Sequence, residues 1–159
     1  MIAIPEFKVP LPGGSRPSQN DILAITSNSH GLSIITVESK AKENFDNTIE
    51  DWNKENSKGK TERLEYIKEK INFSSNNASR LRYQLFHRLA SAVIMAEKFH
   101  ANNAIMIIQS FVESDLENHY DDFVQFIKAY EKEPLKEVPI LLTSKNDIKI
   151  YVLWVNSKT

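Results

Sequence analysis

The sequence predicts an α/β domain in which a mixed β-sheet is flanked by helices. Two short β-branched apolar runs, residues 22–26 and 32–37, are separated by the turn-forming segment Ser-Asn-Ser-His-Gly, which is typical of a β-hairpin. A long stretch with apolar residues at helical spacing follows the hairpin. Further short apolar runs then indicate buried strands, so strands lie on both sides of the helical stretch in the chain and an α/β arrangement is favoured.

The elements can be assigned in chain order. The first twenty residues are rich in proline and glycine and predict extended chain and loop, with a short edge strand at Ile2–Val9. Both hairpin runs are apolar at odd and even positions alike, which predicts strands covered on both faces. The remaining expected elements are helices 45–55, 60–71 and 78–100, a strand 104–111, a helix from the capping box 114–117 to about residue 132, and strands 138–143 and 148–155.

Length and composition bound the class of protein. A chain of 159 residues with 41% hydrophobic and 26% charged residues fits one soluble globular domain spanning residues 1–159. No apolar run approaches the roughly 20 residues of a membrane span, and the start lacks a signal-peptide pattern, so we expect a cytoplasmic protein without a membrane partner. The absence of cysteine excludes disulfides, thiolate catalysis and cysteine-ligated zinc. A formal net charge of −1 counts modestly against tight nonspecific binding of nucleic acid by bulk charge, without excluding a local basic groove.

Three charged residues of the hairpin form a candidate site. Glu38 and Lys40 are two positions apart on a strand, so their side chains share one face of the sheet. A hairpin symmetric about its turn pairs residues whose numbers sum to 59, which sets Asp21 opposite Glu38. Directly opposed Cβ atoms lie about 4.5–5.5 Å apart, a separation that allows two carboxylates to share a hard cation.

The residue types in this pattern point to metal-assisted phosphoryl chemistry. Two neighbouring carboxylates in a partly buried place repel each other, and a divalent cation removes that conflict. Mg²⁺ binds one or two carboxylates together with water and phosphate oxygens. Lys40 is suited to orient an attacking water or to stabilise the charge that grows on a phosphate. The sequence therefore predicts a Mg²⁺ or Mn²⁺ site with Asp21 and Glu38 as ligands and Lys40 as a catalytic residue.

The order of these residues resembles the PD-(D/E)XK, or restriction-endonuclease-like, nuclease superfamily. Asp21 is followed by a strand, Glu38-Ser39-Lys40 ends the next strand, and a helix carrying Gln84 precedes a further strand. The run from LPGGSRPSQND through ESK to RYQLFHR resembles an uncharacterised bacterial family within that superfamily. The resemblance implies a restriction-endonuclease-like fold, metal ligation by Asp21 and Glu38, catalysis by Lys40, and an accessory role for Gln84 near the metal or substrate.

The resemblance has one departure. The superfamily usually opens with a helix before its first strand, and the proline-rich segment before Asp21 does not predict one. We therefore expect the opening helix to be absent, or to be borrowed from a partner, as in a homodimer.

Three functions follow as hypotheses. The leading one is a metal-dependent nuclease acting on phosphodiester bonds, with DNA as the expected partner and with Arg16 and Arg88 near its phosphates. The alternative is a catalytically inactive relative that serves as a nucleic-acid or protein-binding module. The third is an unrelated α/β enzyme that binds a small phosphorylated molecule through backbone amides of the loop Gly13–Gly14–Ser15–Arg16.

Each candidate residue also has a structural interpretation. Glu38 and Lys40 form an ordinary ion pair at a solvated strand end in this reading, worth at most about 1 kcal/mol. Gln84 then caps backbone groups of a neighbouring strand, and Arg88 forms a surface ion pair. The four histidines show no zinc-ligand spacing. Among them His87 is expected to have a satisfied structural role, and His100 and His119 are expected at helix ends or on the surface.

Overall fold

Six β-strands form one mixed sheet in a computed structural model that describes residues 1–41, 43–111 and 118–157. The strands are β1 (Ile2–Val9), β2 (Ser18–Asn28), β3 (Gly31–Lys40), β4 (Asn103–Ser110), β5 (Ile140–Lys145) and β6 (Ile148–Asn156). Their order across the sheet is β1-β2-β3-β4-β6-β5. The neighbours β1/β2, β2/β3 and β5/β6 are antiparallel, whereas β3/β4 and β4/β6 are parallel. The sheet therefore confirms the predicted mixed α/β class.

The hairpin of β2 and β3 has the register that the sequence predicts. The paired residues run from Ile22↔Val37 to Asn28↔Gly31, and the numbers in every pair sum to 59. A two-residue turn, Ser29-His30, fixes this register because the chain reverses symmetrically about it. β1 occupies the edge of the sheet as expected, and no helix precedes β2 in the described part of the chain.

Four helices connect the strands. They are α1 (Ile49–Trp52), α2 (Lys58–Lys70), α3 (Tyr83–Lys98) and α4 (Asn118–Lys128). Two parallel neighbours need a long crossover, and α1, α2 and α3 supply it between β3 and β4. α3 is buried along most of its length and packs against β1, β2, β3, β4 and β6. None of the helices in the described residues is long and apolar enough to cross a membrane.

Two helices are shorter than the sequence predicts. The expected helix 45–55 is a single turn from Ile49, because the chain before it makes other contacts: Asn47 accepts a hydrogen bond from the N–H of Tyr83, and Thr48 forms a β-bridge with Arg82. The same contacts delay the expected helix 78–100 until Tyr83. The predicted capping box 114–117 lies outside the described residues.

The two faces of the sheet differ, which corrects the expectation that both are covered. On β3, β4 and β6 buried positions alternate with half-buried ones. Buried residues such as Ile34, Met106 and Trp154 belong to one hydrophobic cluster with the helices, on what we name the covered face. The other face, which we name the open face, has no helix of the described residues against it. It carries Ala3, Pro5, Ile22, Ala24, Ile35, Val37, Ile105, Ile107, Leu141, Tyr151 and Leu153.

A buried arginine fixes the loop between β1 and β2. The guanidinium of Arg63 on α2 donates from Nε to the carbonyl of Pro12 (2.7 Å), from Nη1 to Arg16 (2.9 Å) and from Nη2 to Gly14 (3.0 Å). Gly13 has a φ of +75°, and a Cβ on it would lie 2.0 Å from the carbonyl oxygen of Gly59. The loop is thus pressed against the start of α2 at a point where only glycine fits.

We predict that Arg63→Ala lowers the free energy of unfolding by about 2–4 kcal/mol, because charge-assisted hydrogen bonds to several carbonyls are lost at once. Urea unfolding followed by circular dichroism measures the change. Arg63→Lys should recover little, since an ammonium cannot reproduce the planar fork. The exposed Arg80→Ala is the control and should shift the midpoint hardly at all. Equal effects at positions 63 and 80 would contradict the role given to Arg63.

Candidate active site

Glu38 and Lys40 lie together at the carboxyl end of β3. Both point to the covered face, and they are 4% and 3% exposed. Lys40 Nζ is 3.2 Å from Glu38 Oε1 and 5.0 Å from the centroid of the Phe45 ring, whose face stabilises the ammonium. The two charges share one face as the i, i+2 spacing predicts. The pair is nearly buried, so the interpretation as a solvated strand end is wrong.

Asp21 lies beside this pair at an interruption of the sheet. The ladder of β2 with β1 skips Asp21, and the ladder with β3 ends at Ile22↔Val37. The Asp21 carboxylate accepts a hydrogen bond from the backbone N–H of Ser39, the residue between Glu38 and Lys40, at 2.7 Å. The side chain of Asp21 therefore satisfies a donor of β3 where strand pairing stops.

Two side chains of α3 bind the Glu38 carboxylate. Gln84 and Arg88 are four residues apart and so share one face of the helix. Gln84 Nε2 donates to Glu38 Oε1 at 2.5 Å, and Arg88 Nε donates to Glu38 Oε2 at 2.6 Å. Gln84 thus faces the site as its spacing predicts, while Leu85 and Leu89 are fully buried in the core. Arg88 forms a largely buried ion pair with Glu38, and the predicted surface ion pair is wrong.

The electrostatics of Glu38 are set by opposing effects. Burial raises the pKa of its carboxyl above the ordinary 4.5, the charges of Arg88 and Lys40 lower it, and the charge of Asp21 raises it. Burial is the largest of these effects, and the net result is a raised pKa. A further positive charge beside Glu38 would favour its ionised form.

The residues present can be tested against a divalent cation. Two neighbouring carboxylates are the ligand type that Mg²⁺ and Mn²⁺ take, and the charge of Asp21 on β2 raises the pKa of Glu38 near the end of β3. Oε1 of Glu38 already contacts Gln84 and Lys40, and Oε2 contacts Arg88. A cation bound to Glu38 would therefore compete with these side chains for the carboxylate oxygens. The described residues contain no group of three or more acidic, histidine or cysteine side chains arranged for a metal.

A cavity of about 360 Å³ adjoins the site on the side of Arg88. His87 and Ser18 line it, and Ser18 Oγ lies 2.8 Å from His87 Nδ1. Burial lowers the pKa of His87 well below its usual value, with the nearby Arg88 lowering it further. His87 is therefore a neutral, hydrogen-bonded side chain, in line with its expected structural role. Arg16 stands exposed on the rim of the same cavity, so the cavity joins the two arginines that the sequence singled out.

The carbonyl groups of the glycine loop that leads to Arg16 are hydrogen-bonded within the protein. Those of Leu11, Pro12, Gly14 and Arg16 all accept hydrogen bonds from Arg63. This arrangement gives the loop a structural role, and the hypothesis of a phosphate site made by its backbone amides gains no support from these contacts.

His119 is a residue whose surroundings the sequence did not indicate. It was expected at a helix end or on the surface, and it lies at the start of α4 with only 5% exposure. Its ring packs edge-on to Phe45, and neither ring nitrogen has a hydrogen-bond partner among the described residues. Burial lowers its pKa, and the charge of Lys40 lowers it further. No local pattern around His119 could have shown this, since its neighbours come from distant parts of the chain.

A larger cavity of about 700 Å³ lies elsewhere, between α4 and β5. Amides and hydroxyls such as Asn72, Asn76 and Thr143 line much of it, and Glu131 is its one acidic lining residue among those described. Lys128 and Lys132 line it as well, but it has neither a second acid nor a histidine among the described lining residues, so it lacks the acid pair on which metal chemistry would depend. Size alone therefore does not make it the better candidate.

Comparisons with curated proteins and with solved structures gave no match to this chain. A scan against protein-family models gave one that matches the chain from its first residue to its last. The chain belongs to the family described as Domain of unknown function (DUF6946), whose model matches residues 1–159.

Proposed function

We propose that the chain is a Mg²⁺- or Mn²⁺-dependent hydrolase of phosphodiester bonds, acting on DNA. The observation that carries the proposal is the nearly buried pair Glu38–Lys40, 3.2 Å apart at the end of β3, with Asp21 beside it. Burying an ion pair removes water from both charges, and this loss often exceeds the stability that the pair contributes. A role in function explains why such a pair is present.

The order of elements supports a restriction-endonuclease-like fold for this site. Asp21 lies on β2, Glu38 and Lys40 end the antiparallel neighbour β3, and Gln84 lies on the helix that leads into the parallel strand β4. This is the order on which the resemblance to the PD-(D/E)XK superfamily rests. A helix before the Asp strand is missing from the described residues, as in the sequence-based expectation.

Each residue has a definite task in this proposal. Asp21 and Glu38 would hold the cation, which neutralises phosphate charge and lowers the pKa of a water. Gln84 holds Glu38 in place through its side-chain amide. Lys40 keeps an ammonium within the site, where it can donate to a phosphate oxygen as negative charge develops. Arg88 balances Glu38 and lines the neighbouring cavity.

The cavity beside Arg88 suits the approach of a phosphate backbone. Its charged lining residues are Arg16, Arg63, Arg88 and Asp46, so positive charge predominates locally although the whole chain carries −1. Arg63 is bound to the loop carbonyls, and Arg88 donates to Glu38 and to Ser18, which leaves Arg16 as the exposed cation at this cavity. A local basic groove of this kind attracts phosphate without a basic protein.

A second candidate is a catalytically inactive member that binds nucleic acid or protein. The observation favouring it is that Glu38 is already satisfied by Gln84, Arg88 and Lys40 without a cation. In such a member the same four side chains only join α3 to β3. The two functions differ in whether Mn²⁺ binds and whether a phosphodiester bond is cut.

We predict that purified protein cuts DNA with Mg²⁺ or Mn²⁺ and stops when the metal is chelated. Lys40→Ala should slow cleavage about 10²–10³-fold, the scale seen when one donor to developing charge is lost. The exposed Lys54→Ala is the matched control and should cut at the wild-type rate. A gel assay on supercoiled and linear DNA gives the rates, and circular dichroism checks that each variant is folded.

Two results would count against the enzyme. If folded Lys40→Ala cuts as fast as wild type, Lys40 has no catalytic role. If wild type binds Mn²⁺ and cuts neither DNA nor RNA, the inactive binding module becomes the better account.

We also predict that Mn²⁺ affinity rises with pH through the raised pKa of Glu38. The cation binds the deprotonated carboxylate, whose pKa is raised above the ordinary 4.5. The affinity for Mn²⁺ is therefore highest above that pKa and decreases as the pH falls through it. Calorimetric titrations from about pH 5 to about pH 8 measure the trend and the proton released. Asp21→Asn should weaken binding at every pH, whereas the exposed Asp147→Asn should not. Affinity that is flat with pH, or unchanged in Asp21→Asn, would remove these two residues from the ligand set.

A further inference from the structure

The open face of the sheet consists of two continuous apolar rows. In one row, hydrogen-bonded neighbours meet in the order Ala3, Ala24, Ile35, Ile105, Tyr151 and Leu141. In the next row they meet in the order Pro5, Ile22, Val37, Ile107 and Leu153. The first row crosses all six strands and the second crosses five, from β1 to β6, and neither contains a charged residue.

The open face is apolar and lacks cover in the described residues. Ile35, Ile105 and Ile107 are only half-buried, although the covered-face positions beside them are fully buried. Leu141 is 44% exposed. Most residues flanking the rows are polar: Ser33, Asn103 and Lys149 at one end, and Ser39 and Gln109 at the other, where Val155 on β6 is the apolar exception. An apolar centre with a polar margin is the composition of a protein interface, and a face of this kind is unusual on a monomer.

The dimensions of the open face fit one standard interface. Six strands spaced about 4.8 Å apart span roughly 24 Å, and strands of this length extend about 30 Å, which gives about 700 Å² for each copy. Stable complexes bury about 800 Å² on each partner. A second apolar sheet of equal size would therefore cover the face almost completely.

We propose that the open face binds a second copy of this chain, forming a two-fold symmetric dimer by packing sheet on sheet. An apolar face with an isoleucine-rich centre is complementary to itself, and two such faces pack about 10 Å apart with their side chains interleaved. Nucleic acid is the wrong occupant, because the rows offer no cation to a phosphate. The dimer supplies the cover on the second face that the apolar pattern of β2 and β3 predicts.

Dimerisation through the open face is independent of the chemistry proposed for the covered face. Glu38 and Lys40 lie on the covered face, so dimerisation through the open face leaves both sites of the dimer unobstructed. The two copies would carry their sites on opposite outer sides of the assembly.

The oligomeric state tests the proposal. Size-exclusion chromatography with light scattering, from about 1 μM to about 100 μM, should give twice the chain mass of 18.3 kDa for the wild type. Ile107→Lys puts a charge at the centre of both copies of the face, and we expect a monomer and a dissociation constant raised at least about 100-fold. Circular dichroism must show that Ile107→Lys is folded. A wild type that is monomeric at about 100 μM, or a folded Ile107→Lys that stays dimeric, overturns the proposal.

Two variants of equally exposed residues test the dimer if Ile107→Lys does not fold. Leu141 lies on the open face and is 44% exposed, while Phe99 at the end of α3 is 42% exposed and lies away from it. Neither lysine needs to be buried within the monomer, so both variants should fold. Leu141→Lys should raise the dissociation constant about tenfold or more, and Phe99→Lys should leave it unchanged. Equal dissociation constants for the two variants overturn the proposal.

Discussion

A carboxylate buried under a helix is the constraint around which this molecule is organised. Glu38 at the end of β3 loses its water, and Gln84 and Arg88 on α3 together with Lys40 replace it. The contacts are directional, so they fix both the rotation of α3 and its height along β3. A second link, from Thr36 Oγ1 to the carbonyl of Arg88, holds the same helix face to the same strand. Displacing α3 would remove Gln84 and Arg88 from the Glu38 carboxylate and leave Lys40 as the remaining partner named here, at a cost of several kcal/mol.

Features set by local chain geometry could be predicted from the sequence. The register of β2 and β3 depends on a two-residue turn, so the sequence alone assigns Asp21 to the neighbourhood of Glu38. The i, i+2 spacing of Glu38 and Lys40 and the i, i+4 spacing of Gln84 and Arg88 need only the geometry of a strand and a helix. Features set by distant parts of the chain could not be predicted in the same way. Arg88 pairs with Glu38, and not with solvent, because α3 packs against β3, which is distant from it in the sequence.

Two further differences between expectation and structure have the same origin. Helical spacing in residues 45–55 did not produce a full helix, because Thr48 pairs with Arg82 and the backbone is committed to that bridge. Burial of His119 beside Phe45 likewise depends on how α4 returns to the end of β3. In both cases a partner far away in the sequence decided the outcome, and periodicity carries no information about such a partner.

The close approach of Gly13 to Gly59 couples the loop between β1 and β2 to the start of α2, so that a substitution at one position affects the backbone at the other. A methyl group at either position would meet the backbone of the other, so the loop would have to move away from the start of α2. That movement would withdraw carbonyls from Arg63 and carry Arg16 away from the rim of the cavity beside Arg88. Two residues with no side chain thereby hold one edge of the cavity beside Arg88 in place, although neither of them contributes a charged or polar side chain to it.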